Sequence, residues 1–192
     1  MQKKPLRKIS KKDEINLVSI GQLPYNSGPH TISIWQLLEI FEKEKIHVHI
    51  YSKVDKQTEL KFKELKNKYL HFHGYVPREK LMQEITKYDY GIYLTPWNRS
   101  KKPNFANETV FGYRIFDYFC AKLPVLNSND AKPVALLINE YNIGYNINYM
   151  VLLSLRKFLK EKKKEYHVLV KNTEKVIKVF SDNKNFVEFI KK

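Results

Sequence analysis

The sequence predicts an open, doubly wound α/β domain in which a parallel sheet is threaded by crossover helices and closed by further helices at the C-terminal end. Two observations point there. Short apolar runs bounded by Gly, Pro and polar residues alternate along the chain with longer stretches of helical periodicity, the pattern of parallel strands joined by helices. The size also fits: 192 residues, 43% hydrophobic and with 11 Phe and 13 Tyr, suffice for one compact core and leave little room for two full domains. That composition excludes an intrinsically disordered chain in spite of a formal charge of +15.

Residues 1–12 carry six basic residues and no acid, and read as an exposed lead-in or interdomain linker. The domain proper spans residues 13–150. INLVSIG (15–21) is a short apolar run ending in Gly and predicts a buried strand. The turn chemistry of LPYNSGP precedes a helix with Ile34, Leu37, Leu38 and Phe41 on one side. HVHIYS (47–52) is a strand, and TELKFKELKNKY (58–69) a helix with Leu60 and Leu65 facing inward. YLHFHGYV (69–76) is a strand ending at Gly74, and a helix starts just after Pro77. YDYGIYLTPW (88–97) is the fourth strand. A helix near 112–121, the strand LPVLN (123–127), a helix near 131–141 and the strand IGYNI (143–147) complete the alternation. From about residue 150 to the end, charged helical material predicts helices that pack on the same domain.

Charge and cysteine usage narrow the function classes. A balance of 35 Lys+Arg against 20 Asp+Glu favours an anionic partner: nucleic acid, an anionic membrane face or a phosphorylated small molecule. The single Cys120 forms no internal disulfide and reads as an ordinary buried thiol, and no Cys/His spacing of a zinc cage occurs. No run approaches the roughly 18 apolar residues of a membrane span, and MQKKPLRKISKK lacks the apolar segment of a secretion signal. A cytoplasmic location is the expectation.

In an open parallel sheet, ligands sit beyond the carboxyl ends of the strands. Here those ends are 21–28, 51–55, 74–77, 95–107 and 127–130. GQLPYNSG after the first strand lacks the glycine spacing of a dinucleotide fingerprint, and no Walker loop is present, so nicotinamide dehydrogenases and P-loop enzymes are poor readings.

The most informative stretch is FGYRIFDYFCAKLPVLNS (111–128), followed by NEYNIGYNI. It resembles the C-terminal, nucleotide-sugar-binding half of GT-B glycosyltransferases, the group that includes family 4 and its relatives. In that family Phe-Gly opens a helix with Glu in its second turn, followed by Gly-Leu-Pro-Val and a strand. Phe111-Gly112, Asp117, Tyr118 and Leu123-Pro124-Val125 stand in matching register, and Arg114-Ile115-Phe116-Asp117-Tyr118 matches the subgroup that writes the helix Lys-Leu-Phe-Glu-Tyr. FHGYVPREKLMQEI and YDYGIYLTP match upstream segments, so the resemblance covers roughly residues 15–150 in order.

The resemblance implies a Rossmann-like domain that binds a UDP- or GDP-linked sugar as substrate, with no metal or other cofactor. It also implies glycosyl transfer to an acceptor in polysaccharide or glycoconjugate assembly. Gly74, Tyr75 and Val76 would hold the base, and the Asp117 carboxylate would accept from two ribose hydroxyls. Gly112, Tyr113 and Arg114 would meet the diphosphate and sugar, with the helix dipole favouring the phosphates. Gly21, Glu108, Thr109 and Phe111 complete the candidate donor-binding set. Taken singly, Asp117 reads better as an exposed helix carboxylate, Arg114 as its solvated neighbour and Gly74 as a turn glycine; their joint register is what favours the donor-binding reading.

The sequence also departs from the family. Retaining members place two Glu around a seven-residue spacer; the first falls on Thr109, with Glu108 one residue earlier. The Arg and Lys that such members carry after the first strand fall on Gln22 and Gly28, so both cations are missing. A leaving diphosphate gains negative charge and requires fixed cations or donors. Lys53, Arg99, Lys101, Lys102 and Arg114 are the candidates to replace them. Lys122 stands where the family has Gly, implying a different helix ending. The N-terminal acceptor-binding half, from which a catalytic base usually comes, is absent from the 192 residues. The chain is therefore cut from a longer enzyme, paired with a separate acceptor-binding subunit, or a degenerate copy without activity.

The remaining features weigh less. His47 and His49, like His71 and His73, alternate on predicted strands; such pairs bind metal in principle but are far more often half-buried strand residues, and no carboxylate joins them at ligand spacing. Arg156 to Lys164, with Phe158 and Leu159 among the cations, suits peripheral contact with an anionic membrane or is a solvated helix face. The rival class is a basic nucleic-acid-binding α/β module without catalysis, which accounts for the charge and the tyrosines. Against it, most aromatics fall within predicted core and no nucleic-acid-binding signature occurs, so nucleic acid is not expected as a partner.

Overall fold

A computed structural model describes residues 14–23, 31–93, 97–98, 112–128 and 131–180. The strands are β1 (Asn16–Ile20), β2 (Thr31–Ile32), β3 (His47–Tyr51), β4 (Leu70–Gly74), β5 (Tyr90–Tyr93), β6 (Trp97–Asn98), β7 (Val125–Ser128) and β8 (Gly144–Ile147). The helices are α1 (Ile34–Lys43), α2 (Lys56–Glu64), α3 (Arg78–Glu84), α4 (Arg114–Cys120), α5 (Lys132–Tyr141), α6 (Tyr149–Leu152), α7 (Leu155–Glu161) and α8 (Tyr166–Phe180), with short 3₁₀ turns before β5 and before α8. Six strands form one parallel sheet in the order β4-β3-β1-β5-β7-β8, the doubly wound arrangement expected from the alternation. A small antiparallel ribbon, β2 with β6, stands apart from it.

The sheet is covered on both faces, which is why its strands read as apolar runs and not as an alternation. Leu17, Val48, Ile50, Ile92 and Leu126 pack under α1, α2, α6 and α7. Val18, Ile20, Tyr93 and Val125 pack under α4 and α5 on the other face. The long α8 serves both layers, with Tyr166, Leu169 and Val170 in the first core and Val176 in the second. The strand and helix limits follow local signals. Ser33 caps α1 in a reciprocal box with Gln36, and Asp55 caps α2 by accepting from Thr58 N–H at 2.9 Å. Asp89 is buried before β5 and accepts from Asn16 N–H at 2.7 Å, tying the start of β5 to the start of β1.

Three expectations are corrected. In α2 the buried residue is Phe62, while Leu60 and Leu65 are exposed. Apolar residues at 60, 62 and 65 do not share one helical stripe. The position that faces in is the one whose ring stacks on Phe72 at 4.5 Å and meets Trp35 at 5.0 Å. Cys120 is exposed, because α4 buries Ile115, Tyr118 and Phe119 and the next residue turns away from that stripe. Lys122 does not bring a different helix ending: it adopts φ +59°, the left-handed backbone a glycine would supply, and Leu123 N–H donates to Tyr118 C=O at 2.9 Å to close the turn. Its ammonium pairs with Glu174 on α8.

The four strand histidines lie on one face of β3 and β4. His47 Nδ1 is 2.9 Å from His71 Nε2, and His49 Nδ1 is 3.1 Å from His73 Nε2, two imidazole–imidazole hydrogen bonds. The pairs stack, His49 over His71 at 4.3 Å, with Tyr51 over His73 at 4.4 Å and Tyr88 against His49 at 4.3 Å. Among the described residues no group of three or more His, Cys, Asp or Glu is arranged to hold a metal ion. No helix among them is long and apolar enough to cross a membrane.

Candidate functional site

The strand order reverses between β1 and β5, so the two strands share only the register Leu17 to Tyr90 and Val18 to Gly91 before their carboxyl ends part. One residue of α4 spans that seam. Tyr118 is fully buried with its ring against Gly91, where an added Cβ would lie 2.4 Å from the ring. Its hydroxyl accepts from Ile20 N–H of β1 at 3.1 Å and donates to Ile92 C=O of β5 at 3.0 Å. Burial pushes the Tyr118 phenol up to about 12, so it stays a neutral donor at ordinary pH. Docking α4 in this way aims the residues preceding Tyr118 at the carboxyl ends of the strands.

Beyond β1, β3 and β4 opens a cleft of about 500 Å³. Gly21 and Gln22 line it after β1, Tyr51 to Asp55 at the end of β3, and Tyr75, Val76 and Leu81 after β4. Gly21 (φ +79°) after β1 and Gly74 (φ +68°) at the end of β4 turn the chain off the sheet, a backbone that L side chains rarely adopt. Of the sequence-derived residues, Gly21, Lys53, Tyr75 and Val76 therefore share one cavity, and Gly74 immediately precedes it. Lys53 is exposed within it, and Tyr75 is 70% exposed, an unusual state for an aromatic side chain.

Arg114 and Asp117 are not among the residues that line the cleft; they tie α4 to its margins, Arg114 to Gln22 and Asp117 to Arg78, two residues past Val76. Arg114 Nη1 donates to Gln22 C=O at 2.8 Å and to Ile20 C=O at 3.2 Å, and its guanidinium lies 5.2 Å from the centre of the Tyr93 ring. One of its two terminal nitrogens is thus committed to shaping the end of β1. Asp117 pairs with Arg78, the first residue of α3, with Nη2 to Oδ1 at 2.6 Å. Burial raises the Asp117 carboxyl above the usual carboxylate range, and the Arg78 guanidinium opposes that shift. At Gly112 the space a side chain would fill is taken by Tyr93, whose hydroxyl would lie 2.1 Å from an added Cβ. Tyr113 is exposed just ahead of α4. Cys120, one turn past Asp117, has its thiol pushed up by partial burial and by that carboxylate.

Glu108, Thr109, Phe111 and Arg99 lie outside the described residues. Arg78 is the residue that sequence reasoning missed. Its ion pair crosses 39 positions, and only the placement of α3 beside α4 reveals it.

No protein-family model and no curated protein matches the chain by sequence. Solved structures do match its fold. WaaG, a glycosyltransferase involved in lipopolysaccharide biosynthesis, aligns with TM-score 0.58 at 18% identity, covering 88% of this chain and 44% of WaaG. Anabaena Alr3699/HepE in complex with UDP aligns with TM-score 0.55 at 12% identity, covering 86% and 44%. CalG4, the calicheamicin glycosyltransferase, aligns with TM-score 0.55 at 12% identity, covering 91% and 40%. The chain has the α/β arrangement of GT-B glycosyltransferases and spans less than half the length of each of these structures.

Proposed function

We propose that this chain is the donor-binding half of a glycosyltransferase and that the cleft holds a nucleoside-diphosphate sugar. The observation that carries the reading is the convergence at the carboxyl ends of the sheet. The exposed Tyr75 and the half-buried Val76 form an apolar wall, and Asp117 is presented by α4 and joined to that wall through Arg78, the second residue after Val76. The base would lie on Tyr75 and Val76, with backbone of residues 74–76 as its polar partners. Asp117, an acceptor when ionised, suits two vicinal hydroxyls of ribose. Lys53 and the uncommitted nitrogens of Arg114 would face the diphosphate, with Gly21, Gly112 and Tyr113 beside them; Glu108, Thr109, Phe111 and Arg99 belong to the same proposal from sequence.

In the transfer, the bond from the sugar's anomeric carbon to the β-phosphate oxygen breaks, the acceptor oxygen bonds to that carbon and loses its proton, and the diphosphate leaves with added negative charge. Fixed cations near that oxygen stabilise the change more than the ground state. The acceptor and its base would come from a second domain or subunit. An acceptor in polysaccharide or glycoconjugate assembly is part of the proposal, as are a cytoplasmic location and peripheral contact of the basic helices with an anionic membrane. The burial of Tyr51, Tyr88, Tyr90, Tyr93, Tyr118 and Tyr166 weighs against the nucleic-acid reading, since base stacking requires exposed rings.

Titration with UDP, GDP and their sugars, followed by thermal shift and calorimetry, tests the reading. At ligand about 100 times its Kd the protein gains about 2.7 kcal/mol of stability. Asp117→Ala should weaken binding about tenfold or more, the loss expected for hydrogen bonds to a charged group. No stabilisation by any nucleotide, or equal binding by the variant, overturns it.

A further inference from the structure

We propose that Arg78 is the positioning residue of the ribose subsite: its guanidinium fixes the Asp117 carboxylate so that each oxygen keeps a lone pair directed at a ligand hydroxyl. The inference rests on the nucleotide-binding reading above and assigns to that site a residue from a different element.

Four observations carry it. Arg78 opens α3 directly after Pro77, so its backbone continues the Tyr75–Val76 wall of the cleft. Its guanidinium reaches across to α4, placing Nη2 2.6 Å from Asp117 Oδ1 and Nη1 3.5 Å from Oδ2, a side-by-side approach to both oxygens. The exposures are unequal: the Arg78 side chain is 74% exposed and that of Asp117 only 15%. The remaining charged groups nearby do not duplicate the contact, since Arg114 is turned to the carbonyls of Ile20 and Gln22.

An ion pair with so exposed a cation adds little to fold stability, so stability does not explain why a long side chain is ordered there. What it does is local. A half-buried carboxylate without a partner takes up a proton readily, and in that form it no longer accepts from two hydroxyls at once. Asp117 is under that pressure, because burial is the larger influence on it and Arg78 the opposing one. A carboxylate offers about four lone-pair positions. The guanidinium occupies one on each oxygen, and the remaining two are left for the vicinal diol. Lysine, a point charge without the planar fork, would keep the charge and lose the two-oxygen alignment.

The test uses the full chain with four probes, UDP, GDP and their 2′,3′-dideoxy analogues, in calorimetric titrations from pH 5 to 8. Wild type should bind the ribonucleotide more tightly than its dideoxy form. Arg78→Gln should weaken the ribonucleotide about tenfold and leave the dideoxy form unchanged. It should also move the acid limb of ribonucleotide binding to higher pH, because Asp117 loses the group that opposes its protonation. Arg78→Lys should restore the acid limb and only part of the affinity. Unchanged thermal melting of both variants without ligand separates these effects from unfolding. Equal weakening of ribo and dideoxy ligands makes Arg78 a phosphate contact and overturns the proposal. So does an unchanged affinity and acid limb in Arg78→Gln when wild type binds. Absence of nucleotide binding by wild type overturns the nucleotide reading itself, and the ribose role with it.

Discussion

On one side of the switch point, β7 approaches β8 and α4 approaches β5 so closely that glycine is required. An added Cβ at Gly144 would lie 1.9 Å from Val125 O, and one at Gly91 would enter the Tyr118 ring. On the other side, β3 and β4 carry polar rings, two hydrogen-bonded histidine pairs with Tyr51 against His73 and Tyr88 against His49, and a cleft of about 500 Å³ opens at the carboxyl ends of β1, β3 and β4. The first side is fixed by sterics. The second is built around imidazoles that burial pushes toward their neutral form, and it stands next to the proposed ligand. Rigid support and adjustable binding surface thus divide at the seam that Tyr118 closes.

Gly144→Ala tests the steric side and should have the largest effect on stability. The neighbour is backbone, which cannot rotate away, so β8 must separate from β7. Overpacking of this kind costs about 3 kcal/mol, which lowers Tm by roughly 6–12 °C in a chain of this length. A variant that melts within about 2 °C of wild type would show that β8 shifts freely and that the contrast between the two sides is unfounded.

The β–α alternation was legible because it rests on local periodicity. INLVSIG became β1, FHG ended β4, and the helix expected near 112–121 became α4. What escaped depended on partners far along the chain. Phe62 displaced Leu60 and Leu65 from the core because Trp35 and Phe72 supply its ring contacts. Lys122 keeps a glycine-like backbone while Glu174, on the final helix, receives its charge. Asp117 could be singled out by register, but Arg78 could not, since nothing in VPREK marks one charged residue as meeting α4. Gly112 was legible as a point of close approach, yet the group that approaches it is Tyr93 of β5.

Tyr118→Phe tests the seam, with a smaller effect. The ring and its fit over Gly91 remain, while Ile20 N–H and Ile92 C=O lose their shared partner. Unpaired buried backbone groups make the loss about 1–3 kcal/mol. Hydrogen exchange should locate it at Ile20. Loss of protection spread evenly over the sheet, with none concentrated at Ile20, would show that the hydroxyl does not close the seam.

The histidine ladder tests the adjustable side. Burial, then the neighbouring rings of His71, His73 and His47 and the Lys87 ammonium, lower His49 to about 3, and burial also lowers His71 and His73. Glu84 acts the other way on His73, and Tyr51 and Tyr88, their hydroxyls 2.7 Å apart, and Tyr69, its ring 5.1 Å from that of His47, also pack against the stack. A histidine whose folded pKa is depressed favours the neutral form in the native state. Its contribution is complete above the unfolded value of about 6.5. As pH falls below that value, the unfolded chain takes up protons that the folded chain refuses, and stability declines until the folded pKa is passed. Tm should therefore be flat from pH 8 to 7 and fall from about 6.5 toward 4. His49→Gln removes the most depressed group while leaving an amide that can still reach Asn16, which His49 Nε2 contacts at 3.3 Å. Its Tm should fall less steeply over that window than the wild type's. Parallel slopes for the two proteins would mean that His49 does not contribute to the acid response and that its burial in the stack is not what makes the cleft side sensitive to pH.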